Sequence, residues 1–130
     1  MMRIAAALVA AALALPAPGL AQTAAPPAPA VAAAPGGLLR GLDKVTGATT
    51  DFELKAGESA RFGRITIELG QCRYPAEDPA SNAYGWVTVR DDLASAPVFQ
   101  GWMIASSPAL NALDHQRYDV WLIRCNIPEG

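Results

Sequence analysis

The sequence is poor in the residues from which active sites are usually assembled. Among its 130 residues there is one histidine, His115, and there are two cysteines, Cys72 and Cys125. Neither cysteine has a second cysteine or a histidine two to four positions away, and one histidine cannot complete the usual four-ligand zinc set. A Gly-x-Ser-x-Gly turn, which would expose a strained nucleophile, is also missing. There is no basic cluster, so nucleic acid is not an expected partner. No metal and no cofactor is expected. The longest uncharged apolar run, Ile4 to Leu15, has about a dozen residues, short of the roughly 20 needed to span a bilayer as a helix.

What the chain does contain falls into three parts. Residues 1–21, "MMRIAAALVAAALALPAPGLA", place Arg3 before the apolar run and Pro16 and Pro18 before small residues. This is the pattern of a secretory signal peptide with cleavage expected after Ala21. No cysteine follows the run to take a lipid, and no twin-arginine pair precedes it, so general export without a stable membrane anchor is expected. Residues 22–37, "QTAAPPAPAVAAAPGG", carry no charge and no aromatic residue. Such a composition reads as a disordered, partly polyproline-like tail. Residues 38–130 form the single folded domain, large enough for one modest core.

That domain needs support, and its cysteines suit an oxidising compartment. A Cys72–Cys125 disulfide closes a loop of about 53 residues and contributes roughly 4 kcal/mol through chain entropy. Once Arg3 is removed with the leader, nine basic residues stand against twelve acidic ones, a mildly acidic and well-mixed surface.

The pattern is that of strands. In "RITIELG", Ile65, Ile67 and Leu69 alternate with Thr66 and Glu68, as a half-buried antiparallel strand requires. A glycine turn at Gly63 precedes this strand, and a second at "KAGE" (55–58) links it to "TTDFELK". Further strands are expected at 39–45, 84–90, 98–103 and 118–126, whereas the two prolines of "YPAEDPASN" interrupt pairing. The expected fold is therefore all-β, a small antiparallel sandwich or barrel of about six or seven short strands. "SSPALNALDH" adds one short connecting helix at about 107–114: Ser107 caps it, Pro108 takes its first position, and Leu110 and Leu113 share one face.

This helix bears on catalysis. At about 1.5 Å rise per residue, Ser107 sits roughly 12 Å from His115, whereas a nucleophile and its base need about 3 Å. No catalytic residue is assigned. His115 is expected at the helix end, with Asp114 or Asp119 as partner, where it suits the exposed carbonyls; the other reading has it lining a binding site. Glu77 and Asp78 are adjacent carboxylates without the further oxygen ligands that calcium needs. Trp86, Trp102, Tyr118 and Trp121, together with Asp114, His115 and Asp119, are the candidate ligand-binding residues. Tyr84 and Trp86 fall on one face of their strand. These aromatics are either the core or a platform for glycan or peptide.

Three stretches, "LRGLDKVTG" (39–47), "RFGRITIELGQCRYPAEDP" (61–79) and "FQGWMIASSPALNALDHQRYDVWLIRC" (99–125), resemble an alphaproteobacterial family of exported proteins with a domain of unknown function. The sequence departs from that family pattern at Ala76 and Gln116, where the pattern has proline. The resemblance implies a periplasmic or secreted protein of a Gram-negative bacterium, with both cysteines in the shared pattern, and carries no functional residues with it. The expectation that results is a non-catalytic binding or accessory module meeting an envelope protein or a cell-wall ligand. A glycan- or peptide-binding domain is the alternative, and a small hydrolase using His115 is the third reading.

Overall fold

The computed structural model describes residues 10–16 and 30–128. Most of the expected leader, and residues 22–29 of the expected tail, lie outside the described residues. Among the described residues no helix is long and apolar enough to cross a membrane.

Eight antiparallel strands make up the domain: β1 (Val31–Ala34), β2 (Gly36–Asp43), β3 (Thr49–Lys55), β4 (Ser59–Phe62), β5 (Ile65–Pro75), β6 (Tyr84–Asp91), β7 (Phe99–Ile104) and β8 (Tyr118–Cys125). They form two sheets. One has the order β1-β5-β6-β7, with β4 also paired to β5, and the other has the order β3-β2-β8. The inward faces enclose an apolar core that includes Leu39, Ile65, Ile67, Leu69, Val87, Val89, Tyr118 and Leu122.

The alternation in β5 has its structural counterpart: Ile65, Ile67 and Leu69 are buried, and Glu68 is exposed. Continued in strict period two, it would bury Gln71 and expose Cys72. Instead the register with β6 shifts between Leu69 and Gln71, a β-bulge with one extra residue. The phase slips by one, and Cys72 turns inward. β8 repeats the device. Leu38 pairs with Arg124 and Leu39 with Leu122, leaving Ile123 as the extra residue. Cys125 then faces the core like Tyr118, Val120 and Leu122 before the slip. Cys72 and Cys125 meet in a disulfide with their Cα atoms 5.7 Å apart, joining the two sheets. Gly37 makes room for it, because a Cβ there would lie 3.0 Å from the Cys72 sulfur.

Two expectations are corrected. The tail does not run to residue 37: Val31–Ala34 pair with β5, the chain crosses between sheets at Pro35, and Gly36 and Gly37 already belong to β2. The helix expected at about 107–114 is a single 3-10 turn, Pro108–Leu110, and Ser107 makes no capping bond to it. Leu113 is buried but Leu110 is exposed, so the two leucines do not form one packed face. So short a segment cannot offset the cost of helix nucleation. Tertiary contacts fix it instead, with Asn111 extended and its Nδ2 donating to the Trp102 carbonyl at 2.8 Å.

Candidate functional site

The crossover from β7 to β8 carries His115 to the end of the sandwich opposite the disulfide. His115 Nε2 lies 2.7 Å from Asp91 Oδ2, at the end of β6. Asp91 is therefore its carboxylate partner, in place of the expected Asp114 or Asp119. His115 Nδ1 accepts the backbone N–H groups of Arg117 (3.0 Å) and Tyr118 (3.1 Å). Two donors on Nδ1 leave the ring proton on Nε2, which donates it to Asp91. The imidazole is 7% exposed, and both of its nitrogens are engaged. His115 is thus a tie within the chain, with no lone pair left to take a proton from a nucleophile or water.

Asp91 is the hub of this end. Besides His115, its carboxylate accepts the Leu93 backbone N–H at 3.0 Å and the Arg64 Nε at 3.2 Å. The Leu93 N–H, then His115, and to a lesser extent Arg64 hold its pKa down at about 2 against the opposing effect of burial. Tyr118 fills the space behind it. Its ring is buried, with Phe62 and His115 at centroid distances of 5.4 and 5.2 Å and the Arg117 guanidinium 5.3 Å from its centroid. Its hydroxyl accepts the Arg64 N–H at 3.3 Å. Gly63, with φ of +57°, makes the turn beneath that hydroxyl, where a Cβ would lie 2.2 Å from the oxygen. Arg117 pairs with Asp43, and this pairing is the main reason that the Asp43 carboxyl titrates below the usual range. Lys44 closes the cluster by donating from Nζ to the His115 carbonyl at 2.6 Å.

The tryptophans lie elsewhere. Trp86 on β6 and Trp102 on β7 are directly opposite each other on the outer face of the larger sheet, edge to face at 5.4 Å. Trp102 is 36% exposed, and the Arg73 guanidinium lies 5.7 Å from its ring centroid. The bulge glycine Gly70 gives Trp86 its seat, since a Cβ there would lie 3.0 Å from the indole. Beside the pair, Val31, Arg73, Tyr84, Trp102 and Ile104 line a shallow recess of about 260 Å³. Trp121 and Asp119 belong to a separate groove of about 380 Å³, against Pro108, Ala109 and Ala112 of the crossover.

The seven candidate residues are therefore divided among several places. Trp86 and Trp102 come together, His115 and Tyr118 form the buried cluster, Asp119 and Trp121 share a groove, and Asp114 is exposed. Tyr118 belongs to the core, whereas the three tryptophans do not. Asp91, Arg64 and Arg117 escaped the sequence reading because their partners are 24, 27 and 74 positions away. Glu77 and Asp78 are exposed on their loop, and no group of three or more metal-binding side chains occurs among the described residues.

No solved structure matches the chain. A protein of Rickettsia prowazekii (strain Madrid E), described as uncharacterized protein RP359, is 32% identical over 92 residues, covering 68% of this chain and 59% of that protein. The chain thus spans about three-fifths of the length of this curated relative. The family model described as "Uncharacterized protein conserved in bacteria (DUF2155)" matches residues 37–125, from the glycine that faces the disulfide to its second cysteine. The two-sheet domain with its bulge-set disulfide therefore belongs to this bacterial family.

Proposed function

We propose that the protein is an exported accessory module of the cell envelope that works by binding, through protein–protein contacts on the outer face of the larger sheet. The carrying observation is a contrast in hydrogen bonding. His115 and Asp91, the pair nearest to a catalytic dyad, engage both ring nitrogens and both carboxylate oxygens within the chain. Trp86, half-buried, and Trp102, exposed, instead lie on an outer face. Large aromatic side chains held rigidly at a surface are the usual anchors of interfaces. The signal-like leader and the disulfide support export. A glycan-binding domain is the alternative that the same rings support.

Fractionation of the native host tests the export half. A mature form beginning at Gln22 in the periplasm or medium is expected; an unprocessed form retained in the cytoplasm overturns it. In-cell cross-linking followed by affinity capture tests the binding half. One reproducible envelope partner should be captured with the wild type and lost with Trp86→Ala plus Trp102→Ala. Turnover of an envelope substrate that His115→Ala abolishes would overturn the non-catalytic reading.

A further inference from the structure

On the reading that the outer face of the larger sheet is the binding surface, we propose that its ligand is an extended proline-rich segment of a partner protein. The inference comes from matching donors to acceptors. Two cross-strand rows make up the surface: Gln71, Trp86 and Trp102 in one, Arg73, Tyr84 and Ile104 in the next. Within these rows the two side-chain acceptors each already take one hydrogen bond. Gln71 Oε1 accepts from Arg73 Nη2 at 2.9 Å, and the Tyr84 hydroxyl accepts from Asn82 Nδ2 at 3.4 Å. The donors are open. No described residue accepts the indole N–H of Trp86 or Trp102; Trp102 is itself exposed, and the Trp86 N–H is not among the buried groups left without a partner. Arg73 has further N–H groups beyond the one given to Gln71.

A surface with more open donors than acceptors favours a ligand of the opposite kind. Proline has no backbone N–H, and in a polyproline II helix the carbonyls have no internal partner. A proline-rich segment therefore offers acceptors with few donors and arrives with little chain entropy left to lose. The edge-to-face Trp86–Trp102 pair and the recess beside it form an angular notch for a pyrrolidine ring, whereas a flat sugar ring is better met by coplanar aromatics.

The experiment is an NMR titration of the oxidised mature chain, following the three indole N–H resonances. The probes are the blocked heptapeptide PPAPPAP, the same peptide with glycine for every proline, and soluble cell-wall oligosaccharides. The expected result is a saturable shift of Trp86 and Trp102 with PPAPPAP alone, Trp121 remaining unmoved as the internal control. Trp102→Ala and Arg73→Ala should each weaken that binding by at least about tenfold, or about 1.4 kcal/mol, in proteins that keep the disulfide and the native fold. A response to oligosaccharides without one to PPAPPAP overturns the ligand class and leaves the binding surface standing. Silence towards all three probes, both in the native chain and with Pro26, Pro27 and Pro29 replaced by glycine, overturns the ligand class and this surface together. Binding of PPAPPAP only after Pro26, Pro27 and Pro29 are replaced by glycine overturns the partner as source, because the chain's own stretch then holds the site.

Discussion

At one end of the sandwich Cys72 and Cys125 join the two sheets by a covalent bond; at the other, Asp91, His115, Arg117 and Asp43 join them by hydrogen bonds between charged and polar groups. Along β5 the two ends are about seven residues apart, from Cys72 to Ile65, roughly 23 Å of strand. The covalent end lies among apolar neighbours and requires little of them beyond space, which Gly37 provides. The polar end holds only while each of its atoms has a partner, since a buried polar group left alone costs about 1–3 kcal/mol. The first end answers to redox conditions, the second to sequence and pH.

The comparison can be broken most forcefully at the covalent end. Cys72→Ser combined with Cys125→Ser should lower stability by about 4 kcal/mol, read by urea denaturation. An alkylating reagent should add no mass to the native protein until it is reduced. The polar end is next, through Gly63→Ala. A Cβ there meets the Tyr118 hydroxyl and fixes a positive φ on a residue that resists it, so about 3 kcal/mol should be lost. His115→Ala should cost about 2 kcal/mol by leaving the Arg117 and Tyr118 N–H groups and the Asp91 carboxylate without their partner, with hydrogen exchange at residues 117 and 118 accelerated.

Acid sharpens the contrast. The Asp91 pKa is depressed from 3.8 to about 2, so its contribution is fully present above pH 4. It is lost as pH falls through about 2. Asp91→Asn should therefore flatten the stability profile between pH 4 and pH 2, whereas the disulfide variant should keep that slope. The smallest effect belongs to neither end. Trp102→Ala, on the proposed binding face, should cost about 1 kcal/mol, the range of an exposed cross-strand aromatic pair, while weakening binding by at least about tenfold.

The strands were legible because alternation is a local signal, and Ile65, Ile67 and Leu69 carry it within five residues. The two glycine turns were legible for the same reason, and the observed φ of +89° at Gly57 and +57° at Gly63 suits glycine. The disulfide was readable from a count of two. The way it is aimed was not, because a bulge is defined by a count against a neighbouring strand, and no single strand records it. Leu110 and Leu113 looked like a helix face because a spacing of three is necessary for one; it is not sufficient, and the Asn111–Trp102 bond holds that segment extended. The candidate site fared worst. His115 was visible as the lone histidine, but its partner is on another strand, and nothing in the spacing of Asp114 and Asp119 revealed that Asp91 would take their place.

The pair of bulges has one more consequence. Without the slip on β5 Cys72 would face outward, and without the slip on β8 Cys125 would, each on the far side of its own sheet from the other. Bond formation thus tests whether both strands have found their register. A chain paired one residue out of step would instead carry a free thiol on its surface. The disulfide is thereby conditional on pairing: a slip of one residue on either strand puts one of its two sulfurs out of reach.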